Sequence, residues 1–181
     1  MARHSPEPAS VKKGTCLQQE LVLDNALWRF SNDVYHREGV ASKCLALQNT
    51  RAVDVNLLLF ACWVGAARRT LLETEDVDRA TLEVADWNAN VVRELRSVRN
   101  WLKTAGEITF AEVKALRGRI LADELSAESV EQALLFRWFA QANIAPSTRA
   151  PRELVEANIR QLVDDVPELL VAAALAIAVQ K

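Results

Sequence analysis

The chain is poor in the residues that most readily announce chemistry. Its 181 residues include two histidines, three cysteines, five glycines and five prolines. His4 lies near the start, so His36 is the one imidazole within patterned sequence. No second His or Cys stands at ligand spacing from it, which argues against a zinc site. As a general base His36 is the weaker reading; a polar residue at a helix end is the plainer one. The glycines are scattered singly and cannot build a dinucleotide or phosphate loop. No Gly-x-Ser-x-Gly elbow occurs, and no Glu-x-x-His pair of the kind that holds di-iron in bundles. Asp164 and Asp165 stand beside a proline and Asp54 stands alone, so no aspartate-rich magnesium face is formed. No catalytic residue, metal or cofactor is therefore assigned.

Two further absences bear on class. Cys16, Cys44 and Cys62 are odd in number, widely spaced and without C-x-x-C, which argues against a disulfide framework. Few Gly and Pro means few tight turns, and an all-β fold needs many. The apolar runs Leu57 to Ala67 and Leu169 to Val179 are too short for a membrane crossing, which takes about 20 apolar residues. The segment from Met1 to Pro8 lacks the apolar stretch of a secretory signal. The expectation is a cytoplasmic protein.

Half of the residues are apolar and a quarter charged, as in ordinary folded domains. The spacing predicts a flexible tail over 1–20 and a single all-α domain over 21–181, an irregular bundle of six to eight helices. The first helix is expected from about Asp24, its cap, to Tyr35, and a short one over Val40 to Gln48. Asp54 should cap the next, which is apolar all round from Leu57 to Ala67 and so belongs at the centre. An acidic link leads to a long helix over Asp78 to Thr104. Thr109 and Glu112 form a capping box, with Ile108 and Val113 as its hydrophobic staple. Glu124 to Ala127 is either a break or a bend, and Ser126 would cap whatever follows. Residues 143–150 read as a loop. Pro151 opens a helix striped by Val155, Ile159, Leu162 and Val166, and Pro167 ends or kinks it.

Two groups of polar residues are candidate sites. Asp54 and Asn56 precede the apolar helix, while Asn88 adjoins Trp87 on the long one. If the two helices pack together, Asp54, Asn56, Trp87, Asn88 and Arg93 could line a polar pocket for a small molecule or an unrecognised reaction. The plainer reading makes Asp54 a cap and the amides partners of buried backbone. The second group is a basic face of Arg93, Arg96, Arg99 and Lys103. Arginine outnumbers lysine 16 to 6, and guanidinium pairs well with carboxylate and phosphate. The functional reading of the face is an anionic partner, an acidic protein or RNA; the plainer reading is a solvated helix face. Net charge is −2 and no motif supports nucleic acid, so that partner is disfavoured. The sequence thus favours a non-enzymatic interaction or regulatory protein over the pocket reading. An all-apolar terminal helix adds the expectation of a homodimer through it.

Several word patterns resemble a known family. They are Asn25-Ala-Leu-Trp-Arg-Phe-Ser31, Val34-Tyr35, Val40-Ala41, Cys44-Leu-Ala-Leu-Gln48 and Asp54-Val-Asn-Leu-Leu-Leu-Phe60, followed by Trp87-Asn88, Val91-Val92, Leu95-Arg96 and Leu102-Lys103. Over about residues 23–105 the chain is similar to a proteobacterial family of short conserved hypothetical proteins. That resemblance implies a helical bacterial cytoplasmic protein. It carries over no catalytic residue.

Overall fold

The computed structural model describes residues 20–104 and 110–180. Among them every regular element is helical: α1 (Ala26–Tyr35), α2 (Val40–Arg51), α3 (Val55–Ala66), α4 (Thr74–Trp87), a π turn (Asn88–Val92), α5 (Arg93–Thr104), α6 (Ala111–Ala142), α7 (Pro151–Arg160) and α8 (Glu168–Val179). The expected tail, apart from its last residue, lies outside the described residues, as do Ile108 and Thr109 of the expected capping box.

α3 is the central element. Every residue from Asn56 to Ala66 is buried, as an apolar-all-round helix requires. Asp54 caps it, its Oδ1 accepting the N–H of Asn56 at 2.8 Å and of Leu57 at 3.4 Å. Around it lie α1, α6, α7 and α8. Phe60 and Trp63 meet Phe136, Trp138 and Phe139 of α6 with ring centroids 5.4–6.1 Å apart, mostly edge to face. α7 comes closest of all, because Gly65 presents no side chain: a Cβ there would sit 2.7 Å from the backbone nitrogen of Val155. Asn158, fully buried on α7, completes the clasp. Its Oδ1 accepts from Leu72 N–H at 2.8 Å and its Nδ2 donates to Thr70 O at 3.0 Å.

Several boundaries differ from expectation, each for a local reason. Asn25, not Asp24, caps α1: its Oδ1 accepts from Trp28 N–H at 2.9 Å while its Nδ2 holds Val22 O. Asp24 pairs instead with Arg29 at 3.0 Å. α2 runs on to Arg51, and the chain turns at Ala52 in the left-handed region. The expected acidic link is largely the first turn of α4, where Glu75 and Asp76 suit the positive end of the helix dipole. Asp76 accepts the N–H of Glu73 at 3.1 Å. The rod then runs to Thr104 with one π turn inside it.

α6 is a single 32-residue helix with no break at Glu124 to Ala127. Ser126 caps nothing: its hydroxyl donates back to Ala122 O at 2.9 Å, within the helix. α7 ends at Arg160, short of Leu162 and Val166, and Pro167 stands as the N-cap of α8. Gly118 of α6 faces open space, with nothing within 4 Å of an added Cβ. Gly118→Ala is therefore expected to raise stability by about 1 kcal/mol. A higher denaturation midpoint would show it, and an unchanged one would mean this stretch is not helical in solution.

Candidate functional site

A cluster of buried polar side chains interrupts the apolar interior where the start of α3, the π turn and the middle of α6 meet. Glu131 of α6 has 0% of its surface exposed, and Asn56 and Gln132 beside it are also buried. Asn56 donates from Nδ2 to Glu131 Oε2 at 2.9 Å, and its Oδ1 accepts from Gln132 Nε2 at 2.8 Å. Asn88 bridges two carboxyls with one nitrogen: Nδ2 donates to Asp54 Oδ2 at 3.0 Å and to Glu131 Oε1 at 3.1 Å. That shared donor brings the Asp54 and Glu131 carboxyls side by side. Burial, then the Asp54 charge, push Glu131 up to about 9, so at neutral pH it holds a proton.

The helices explain this placement. Asp54 is fixed by its capping role. Asn88 opens the π turn, the kind of one-turn widening that often marks functional positions in helices. Gln132 Oε1 has no hydrogen-bond partner among the described residues.

A second charged group lies one turn away. Arg96 donates to Glu124 from Nε at 2.9 Å and to Glu128 from Nη2 at 2.6 Å, while Arg99 also pairs with Glu124. Burial raises Glu128 above the usual carboxylate range against the lowering pull of Arg96. These pairs pin α5 to α6.

Above the acid pair opens a cavity of about 320 Å³. Asp54, Asn88, Arg93, Arg96, Ser97 and Asn100 line it, with Gln48, Asn49, Ala52 and Val53 from the α2–α3 corner. Ala52 holds φ 53°, a strained value for a residue with a side chain. A larger hollow of about 540 Å³ lies between α1, the end of α3 and α8. Its two guanidiniums are already engaged: Arg68 sits 5.7 Å above the Trp63 ring, and Arg69 donates to Arg149 O at 3.2 Å. The smaller cavity is the one with chemistry beneath it.

Of the expected pocket residues, Asp54, Asn88 and Arg93 line the cavity and Asn56 lies below it in the buried network. Trp87 does not line it; its Nε1 donates to Ala127 O at 2.9 Å and ties α4 to α6. Of the expected basic face, Arg96 and Arg99 are spent on Glu124 and Glu128, leaving Arg93 and Lys103 without such a pair among the described residues. Sequence reasoning missed Glu124, Glu128, Glu131 and Gln132. Their signal was there, a polar stripe at helical spacing within apolar sequence, facing arginines at spacing three.

Other nucleophiles are quiet. Burial raises the Cys44 thiol to about 11 and Cys62 further still. His36 is exposed at the end of α1, its Nδ1 at 2.7 Å from Asn32 O. Among the described residues no group of His, Cys, Asp and Glu could hold a metal ion. No helix among them is long and apolar enough to cross a membrane.

No curated protein and no solved structure matches the chain. One family model does, described as a protein of unknown function (DUF2390), over residues 26–135. That span contains the acid pair, its amide partners, the cavity arginines and the α6 carboxylates, and it stops before α7 and α8. The chain belongs to the DUF2390 family, proteins of unknown function built here as an all-α bundle.

Proposed function

We propose that this chain is a small-molecule-binding protein whose site is the cavity above Asp54 and Glu131. The observation that carries the reading is a polar cavity lined by half-buried Asp54, with the fully buried Glu131 network directly behind that carboxyl. Burying Glu131, Asn56 and Gln132 costs stability that apolar residues of similar size would not. Such local violations are expected where function requires them. The π turn and the strained Ala52 border the same cavity, so three costly features converge on it. A volume of about 320 Å³ suits a small metabolite. Arg93 lines it as a cation without an ion pair among the described residues, so the ligand carries an anionic group.

The test is a thermal-shift screen against metabolites bearing a carboxylate or phosphate. At least one is expected to raise the melting temperature of wild type, and Arg93→Ala should weaken its binding about tenfold or more. No shift across the panel, or a shift that Arg93→Ala leaves intact, would contradict the reading.

A second reading, the interaction protein that the sequence favours, is supported by a different feature. On α8, Leu169, Ala172, Ala176 and Val179 form an exposed apolar stripe. A second copy covering that stripe would make a two-fold dimer. Ala176→Glu is then expected to turn a sedimenting dimer into a folded monomer. Wild type that remains monomeric at high concentration rules the dimer out. In either reading we take the protein to be bacterial and cytoplasmic. The buried, unpaired thiols of Cys44 and Cys62 fit a reducing compartment.

A further inference from the structure

Resting on the ligand-binding reading above, we propose that the ligand is a small zwitterion. Its ammonium group seats on Asp54, which lines the cavity in front of Glu131, and its anionic group lies on Arg93 and Arg96. The placement follows from counting acceptor positions. A carboxylate offers about four. At Asp54 three are taken by Asn56 N–H, Leu57 N–H and Asn88 Nδ2, and the fourth faces the Glu131 carboxyl, which the same Asn88 nitrogen holds beside it. The first three donors are amides fixed by the fold, and moving one would strand a donor in or beside the core. What Glu131 brings is a proton, which can leave to water.

A neutral hydroxyl arriving at Asp54 could not replace that proton, because two ionised carboxylates would then face each other. An ammonium can. The Glu131 O–H bond breaks, the proton goes to solvent, and the pair passes from one negative charge to two. The ligand's positive charge restores the balance. The other charged groups nearby do not alter the count: Glu128 faces Arg96, and Glu124 faces Arg96 and Arg99. Arg93, which also lines the cavity, is without an ion pair among the described residues. Arg96 lines the same cavity while it holds its two glutamates through Nε and Nη2. An anionic group seated there completes a ligand with no net charge.

The test is calorimetric titration with the twenty free amino acids, each beside the same skeleton without its amine. It is run at pH 6, 7 and 8 on wild type and on Glu131→Gln, whose side-chain amide imitates the protonated acid but cannot release a proton. At least one amino acid is expected to bind tenfold or more tightly than its amine-free counterpart. Its Kd in wild type should fall about tenfold per pH unit, the slope for one proton released. In Glu131→Gln the Kd should be weaker and flat with pH. Equal binding of the two series, abolished by Arg93→Ala, would overturn the zwitterion while leaving the cavity reading intact. A wild-type Kd that does not move with pH overturns it as well. Binding by neither series also overturns it, and the metabolite screen then decides the cavity reading separately.

Discussion

Gly65→Ala is expected to cost about 3 kcal/mol or more, one of the largest losses of any single methyl group added to this chain. The new Cβ would lie 2.7 Å from Val155 N, 2.8 Å from Val155 Cα and 2.9 Å from the Leu154 carbonyl carbon. All three obstacles are backbone, so no side chain can rotate away and α7 itself has to move. Moving α7 also pulls Asn158 from Leu72, Thr70 and Ala61, exposing buried amides to loss of their partners. Against a total stability of roughly 5–15 kcal/mol, that is a large fraction. Urea denaturation would show the midpoint falling sharply. A midpoint within the equivalent of about 1 kcal/mol of wild type would mean that α3 and α7 are not in backbone contact.

Glu131 carries the second large effect, and its sign depends on the substitution. Glu131→Ala leaves Asn56 Nδ2 without a partner, takes one of the two acceptors from Asn88 Nδ2, and opens a void. The combined cost is about 4 kcal/mol. Glu131→Gln keeps the shape and a donor toward Asp54 but gives up the acceptor for Asn88 Nδ2, which still has Asp54, so it should cost about 1–2 kcal/mol at pH 5. The two proteins then diverge with pH. The Glu131 carboxyl is raised from the ordinary value of 4.5 to about 9 in the folded chain. Between those values the folded state binds a proton that the unfolded state has lost, so wild-type stability falls as pH rises. Glu131→Gln lacks this loss and should overtake wild type before pH 9. Denaturation midpoints at pH 5, 7 and 9 would show the crossing, and parallel curves would mean that Glu131 titrates normally.

Much of the fold was legible because the strongest signals were local. Asp54 before an apolar run marked both the cap and the central helix, and Pro151 marked the start of α7. What misled was competition between neighbours. Asp24 and Asn25 are both good caps, and only the reach of Asn25 Nδ2 to Val22 O decides between them. Ser126 looked like a cap because hydroxyls favour helix ends, yet its back-bond to Ala122 satisfies it within the helix. The site was half legible. Asp54, Asn56 and Asn88 stand out as polar residues amid apolar ones. Glu131 belongs to the same network from 43 residues beyond Asn88, and only the packing of α6 across α3 and the π turn brings it there. Arg96 and Arg99 read as a free basic face because their partners, Glu124 and Glu128, lie on another helix.

The most direct measurement of the central claim is a pH titration of the side-chain carboxyl carbons by NMR, with Glu131→Gln identifying the Glu131 resonance. The account requires one glutamate carboxyl that is still protonated at pH 7 and vanishes in that variant. If every carboxyl in the folded protein has titrated by pH 5, the buried pair holds no proton, and the acid pair on which the proposed site rests does not exist.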